Sequence, residues 1–238
     1  MNANVVCDFD GTIALEDVTD GLLDQFADPS WKHIEAQWLA GNFGSRECMA
    51  RQVSLIEANY EELDRYLDAV EIDPSFPSFV EECERRGNFS LNVVSDGIDY
   101  AVKRILGNHG LSRLRVRANT LIARADNRYR LDFPHAAPGC GAQAGTCKCA
   151  IARNLSKPLL PHCATILIGD GTSDYCVASQ ADFVFAKHRL LVHCKAIAIP
   201  HLPFDTFFDI ERELTHVVGE FHRSVQSAHY LTETPSDA

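Results

Sequence analysis

Asn4-Val5-Val6-Cys7-Asp8-Phe9-Asp10-Gly11-Thr12 is a short apolar run closed by two aspartates, a glycine and a threonine. Such a run with turn residues behind it reads as a buried strand over 4–9. Side chains alternate along a strand, so Asp8 and Asp10 lean the same way at its exit. Two neighbouring carboxylates repel, and both stay ionised only beside a shared cation or with a proton on one of them. A hard divalent ion with oxygen ligands suits the pair, and magnesium is the usual choice beside a phosphate. A plain polar turn would use the same residues, so Asp8 to Thr12 is ambiguous alone. An EF-hand loop is excluded, because Asp10 runs directly into Gly11 and the remaining acidic spacing is absent.

Beyond this strand the period changes. From about Leu15 to Arg86 the apolar residues recur at helical spacing: Val18, Leu22 and Phe26; Trp31, Ile34 and Trp38; Met49, Val53 and Ile56; Leu63, Leu67 and Val70. Gly41 to Gly44 interrupts this region and Asp73-Pro74 bounds it. Phe76, Phe79, Val80 and Cys83 form one face of a helix that stops at Gly87. The expected later elements are a strand at 89–94, a helix at 98–106, and a β-hairpin of 121–125 with 129–133. A helix from about Thr146, a strand at 165–168, short strands at 183–185 and 196–199, and a closing helix at 207–221 follow. The tail from Thr232 is polar and expected to fray. Strands alternating with helices predict a parallel α/β sheet, and the helical stretch without a strand reads as an inserted cap. The expected division is a core of 1–14 with 74–238 and a cap of 15–73.

Ligands of such sheets bind beyond the carboxyl ends of the strands. Two further strand ends carry polar residues. Ser95-Asp96-Gly97 offers a hydroxyl and backbone N–H groups to a phosphate oxygen, although an ordinary turn would look the same. Gly169-Asp170-Gly171-Thr172-Ser173-Asp174 offers two more carboxylates, although an N-capping turn is the plainer reading. It is neither a Walker loop nor a dinucleotide fingerprint, since no Gly-Lys-Ser/Thr and no third glycine follow. Lys148 opens a predicted helix, where the helix dipole disfavours a lysine unless it faces an anion.

Bulk properties narrow the function. The chain has 238 residues, 46% of them hydrophobic, which supplies one full core with or without a small second lobe. Its net charge of -11 argues against a broad nucleic-acid surface. Neither a signal peptide nor a membrane-spanning stretch is read. Nine cysteines at scattered spacing do not form a secreted disulfide framework and fit a reducing cytoplasm. Cys140, Cys147 and Cys149, even with His135, match no common zinc module and read as a loop packed by small thiols.

Acidic pair, Ser95, Lys148 and acidic pair, in that chain order, resembles the four-motif pattern of the haloacid dehalogenase superfamily. The resemblance covers nearly the whole chain and implies a Rossmann-like parallel sheet flanked by helices, with a helical cap inserted after the first strand. The insert is similar to the cap of the subgroup that includes phosphoserine phosphatase. Gly145-Thr146-Cys147-Lys148, Ser95-Asp96-Gly97-Ile98-Asp99, Ala181-Asp182-Phe183-Val184-Phe185-Ala186-Lys187 and Pro203-Phe204-Asp205-Thr206-Phe207 resemble its methionine-salvage branch, which acts on a methylthiopentenyl phosphate. The cysteine-and-lysine segment is also similar to that of phosphoethanolamine/phosphocholine phosphatases. Gln52, beside Arg51, stands where phosphoserine phosphatases carry a substrate-binding arginine.

The resemblance implies a magnesium-dependent phosphomonoesterase for a small phosphorylated metabolite. Asp8 is then the nucleophile and Asp10 the general acid and base. Asp8, the backbone carbonyl of Asp10, Asp170 and Asp174 hold Mg2+. Thr12, Ser95, Asp96, Gly97 and Lys148 form the phosphate-binding set. Glu16, Asp17, Phe43 and Gln52 are cap candidates for substrate contact, each equally suited to a plain surface or packing role. Alternatives are phosphoserine hydrolysis, transfer of the phosphoryl group to an alcohol, or a catalytically silent binding protein on the same fold.

Overall fold

A computed structural model describes residues 2–156 and 163–214. Seven strands form one sheet in the order β4-β3-β2-β1-β5-β6-β7. They are β1 (Asn2–Cys7), β2 (Phe89–Ile98), β3 (Arg115–Ala123), β4 (Tyr129–Asp132), β5 (Cys163–Gly169), β6 (Phe183–Ala186) and β7 (Leu202–Pro203). All neighbours are parallel except β3 and β4, which pair as an antiparallel edge hairpin. β1 lies between β2 and β5, with Cys7 opposite Val93 on one side and Ile168 on the other. The chain progresses outward in opposite directions from β1, and the crevice beyond such a switch point is where open α/β sheets bind ligands.

Alternation along the strands sends apolar residues to both faces. Val5, Cys7, Val93, Ile166 and Ile168 pack with α5 (Phe76–Arg86), α6 (Asp99–Asn108) and a helical stretch over 207–214. Val6, Val94, Leu167 and Val184 pack on the other side with α7 (Lys148–Leu155), α8 (Tyr175–Ala178) and α9 (His188–Ala196). Burial on both faces explains why these strands read as continuous apolar runs. Phe207 clamps the first face, its ring centroid 4.7 Å from Phe76 and 5.2 Å from Phe79. Burying one such ring contributes roughly 1.5–3 kcal/mol.

Four helices lie between β1 and α5: α1 (Val18–Phe26), α2 (Trp31–Leu39), α3 (Ser45–Val53) and α4 (Tyr60–Leu67). The chain leaves and re-enters the sheet domain side by side. Ala14 bridges Ile72, Leu15 N–H donates to the Glu71 carbonyl at 3.1 Å, and Asp73 N–H donates to that of Ile13 at 2.8 Å. Local signals set the helix ends. Asn59 and Glu62 form a reciprocal capping box on α4. Gly87 ends α5 at a φ of 67°, the left-handed cap that glycine adopts without strain. Trp31 is buried, whereas Trp38 is half-buried.

Several expectations are corrected. Residues 196–199 form no strand: α9 runs to Ala196, Ala198 turns at a φ of 57°, and Ile199 N–H donates to the Cys194 carbonyl. Their apolar alternation looks strand-like, but β7 occupies the free edge of β6. β2 continues past 94 to Ile98 through a register shift. β3 begins at Arg115, where pairing with β2 organises a sequence too polar to announce itself. The expected closing helix is seen over 207–214; its remainder and the tail from Thr232 lie outside the described residues. Among the described residues no helix is long and apolar enough to cross a membrane.

Candidate active site

Three strand ends and one helix start converge beyond β1. Asp8 follows β1 directly, and its N–H donates to the Ile168 carbonyl at 2.9 Å, extending the ladder with β5. Its carboxylate accepts from Phe9 N–H at 2.8 Å and meets the Lys148 ammonium at 2.7 Å. Lys148 is the first residue of α7, with a side chain 2% exposed. It also donates to Asp174 at 2.6 Å and to the Ser173 hydroxyl at 2.9 Å. Burial opposes a charge on Lys148, but Asp174 and Asp8 outweigh it and hold the ammonium above its ordinary value.

Asp8, Asp170 and Asp174 present carboxylate oxygens that lie within 4.8 Å of one another. Burial, reinforced by Asp8, pushes the Asp174 carboxyl up to about 8 against the pull of Lys148. Burial and then Asp8 raise Asp170 too. The cluster gathers three carboxyl groups around one ammonium, and all three offer oxygen donors. A hard divalent cation fits this donor set. Among the described residues this is the cluster of three suited to a metal; Cys140, Cys147, Cys149 and His135 form no such group. Cys149 instead lies with its sulfur 2.9 Å from that of Cys176.

Asp10 faces other partners. Its carboxylate accepts from Val18 N–H at the start of α1, at 3.0 Å, and from the Ser95 hydroxyl at 3.1 Å. Burial, then the Asp17 and Asp8 carboxylates, raise the Asp10 carboxyl well above the usual range. Gly11 has a φ of 65°, and a Cβ there would lie 2.6 Å from an Asp170 oxygen. Only glycine permits this turn so close to the carboxylate. Gly97 serves similarly, since a Cβ would stand 2.7 Å from Asp10 and 2.9 Å from the Ser95 hydroxyl. Gly97 N–H donates to that hydroxyl at 2.8 Å. The Thr12 hydroxyl donates to Asp170 at 3.2 Å.

Asp96 is placed differently from Ser95 and Gly97, because its carboxylate accepts from Thr146 N–H, Asn119 and Ser45. The cap candidates are scattered. Glu16 is exposed and accepts from the Tyr66 hydroxyl at 3.0 Å. Asp17 caps α1 by accepting from Asp20 N–H. Phe43 lies under the Arg51 guanidinium, 4.4 Å from its ring centroid. Gln52 is buried and gives its amide to Glu35 at 2.8 Å.

Two residues beside the cluster had no site role assigned from sequence, although Lys187 closes the quoted Ala181–Lys187 segment. The buried Lys187 donates to the Thr12 carbonyl at 3.2 Å, steadying the loop after β1. His188, at a φ of 47°, places Nδ1 3.5 Å from Asp170. The resemblance of the Ala181–Lys187 segment was the available signal for Lys187, whereas His188 just after a short strand looks like an ordinary turn residue.

The haloacid dehalogenase-like hydrolase family model matches residues 5–179. The chain belongs to this family, and it is an enzyme of the phosphatase class. Within the family it is similar to 2-hydroxy-3-keto-5-methylthiopentenyl-1-phosphate phosphatase of an Exiguobacterium species, at 34% identity over 88% of this chain and 96% of that one. The protein of the same name from Geobacillus thermodenitrificans is 33% identical over 86% and 91%. Among solved structures, a phospho-aspartyl intermediate analogue of phosphoserine phosphatase superposes with a TM-score of 0.64 at 20% identity, over 89% of this chain and 98% of that one. A probable phosphoserine phosphatase from Vibrio cholerae gives 0.67 at 16% identity, over 94% and 67%. At these identities the structural likeness speaks to the fold.

Proposed function

We propose that the chain is a magnesium-dependent phosphomonoesterase that works through an aspartyl-phosphate on Asp8, with a methylthiopentenyl phosphate as its substrate. The observation that carries this reading is the buried contact of Asp8 with Lys148, beside the carboxylates of Asp170 and Asp174. An oxygen of Asp8 attacks phosphorus while the ester oxygen departs in line. Asp10, whose raised pKa favours a retained proton, gives that proton to the leaving oxygen. It then takes one from the water that cleaves the acyl phosphate. Lys148, the Ser95 hydroxyl and backbone N–H groups near Asp96 and Gly97 hold the phosphoryl oxygens, with Thr12 fixing Asp170. Asp8, the Asp10 carbonyl, Asp170 and, in support, Asp174 would hold Mg2+, which supplies the positive charge that lets a carboxylate approach a phosphate dianion.

The substrate assignment rests on the relatives, which are phosphatases of that name over nearly their whole length. Gln52 favours it over phosphoserine, because a neutral amide already bound to Glu35 offers no charge to a substrate carboxylate. In this reading residues 15–73 act as a cap that closes over the leaving group and excludes water from the first step. The nine unpaired thiols suit a reducing cytoplasm.

The test is phosphate release from a panel containing a methylthiopentenyl phosphate, phosphoserine and phosphoethanolamine, with Mg2+ and with chelator. The expected result is chelator-sensitive turnover with the highest kcat/KM for the methylthiopentenyl ester. Higher kcat/KM for phosphoserine would overturn the substrate, and no Mg2+-dependent turnover of any ester would overturn the reaction.

A further inference from the structure

Asp96 sits between two residues of the phosphate-facing strand end, yet its carboxylate points away from any phosphate role. One oxygen accepts from Thr146 N–H at 2.8 Å and from the Asn119 amide at 3.3 Å, and the other accepts from the Ser45 hydroxyl at 2.9 Å. Asn119 also donates to the Asp96 carbonyl at 2.5 Å and accepts from the Thr146 hydroxyl at 3.1 Å. Asp96 is half-buried, and a carboxylate partly withdrawn from water is stabilised when donors surround it. A bare carboxylate there would repel a phosphate dianion, whereas this one is occupied on both oxygens.

The three donors come from three different parts of the chain. Ser45 opens α3 in the inserted helical region. Thr146 lies two residues before Lys148, and Asn119 belongs to β3. Around Ser45 the insert is fastened to the same loop. Ser45 N–H donates to the Ala142 carbonyl at 3.3 Å and Arg46 N–H to that of Gln143 at 3.1 Å. These are unpaired donors of the first helical turn, so the loop caps α3. Gly44 allows the approach, since a Cβ there would stand 2.3 Å from that of Gln143.

We infer that Asp96 is a positioning residue that couples the seating of the insert to the placement of Lys148, with the Ser45 hydroxyl as the part of the insert it senses. This inference rests on the reading of 15–73 as a cap. When α3 docks, Ser45 completes the donor set of Asp96, and Asp96 holds Thr146 and the start of α7. When α3 lifts, one oxygen loses its partner and the hold on Thr146 loosens. Substrate sequestration and the phosphate-holding ammonium are thereby set together.

The test compares wild type, Ser45→Ala and Ser45→Thr. It uses steady-state kinetics on a phosphomonoester, inhibition by inorganic phosphate, and amide hydrogen exchange over 142–148. Ser45→Ala is expected to raise KM and the phosphate inhibition constant about ten-fold with kcat changed less than about three-fold, the signature of lost uniform binding. It is also expected to speed exchange at Thr146 and Lys148, with Ser45→Thr restoring all three. Unchanged KM and unchanged exchange in Ser45→Ala would overturn the coupling. An inactive wild type would instead end the phosphatase reading, and the exchange comparison would still decide the coupling.

Discussion

The Lys148 ammonium lies 2.7 Å from the Asp8 carboxylate, although the two residues belong to distant parts of the chain. Lys148 is brought there by α7, which packs on β1 and β5 through Ile151 and Ala152. The same ammonium reaches Asp174, so one cation organises both acidic segments.

Removing that cation should therefore cost stability as well as activity. Lys148→Met leaves Asp8 and Asp174 buried without their partner, a loss on the order of 3–5 kcal/mol for a broken buried pair. Denaturant unfolding of the metal-free variant should show this loss, and added Mg2+ should restore part of it. A variant as stable as wild type without metal would mean that the carboxylates do not depend on Lys148.

The raised carboxyls give the metal-free protein a pH dependence of known sign. Asp174, pushed up to about 8, binds its proton more tightly in the folded chain than in the unfolded one, where carboxyls titrate at roughly 4. Stability then falls as pH rises from about 4 through about 8. Asp170 and Asp10 shift in the same direction. A divalent cation replaces the proton, so the Tm gain from Mg2+ should be larger at pH 8.5 than at pH 5.5, by about 3 °C or more. An equal gain at both values would contradict this.

Gly97 is the contact point between Asp10 and Ser95. Gly97→Ala would push a methyl into both, since the Cβ position lies 2.7 Å and 2.9 Å from their oxygens. Displacement of a reacting group by about 1 Å costs roughly 10²-fold in rate. Initial rates should show a fall of about that size in kcat/KM, with Tm within a few degrees of wild type. Wild-type kcat/KM would show that the close packing has no bearing on the chemistry.

Much of the site was legible because each segment announces itself locally. The strand exits at Asp8, Ser95 and Gly169 carry turn residues behind apolar runs, and Lys148 opens its helix against the dipole. Their convergence follows from one sheet having one carboxyl edge. What escaped was decided between segments. Asp96 reads as part of a phosphate loop, and only coordinates reveal Ser45 and Thr146 filling its oxygens. Gln52 reads as a cap candidate for substrate contact, and only the packing of α2 on α3 gives it Glu35. Residues 196–199 alternate like a strand but have no free edge to join.

The nucleophile can be tested by one substitution. Asp8→Asn keeps the shape of the side chain and removes the attacking charge. Phosphate release by this variant, at saturating phosphomonoester and Mg2+, should fall at least roughly 10³-fold, about 4 kcal/mol of barrier, while its far-UV spectrum stays that of wild type. Turnover within ten-fold of wild type would contradict the account.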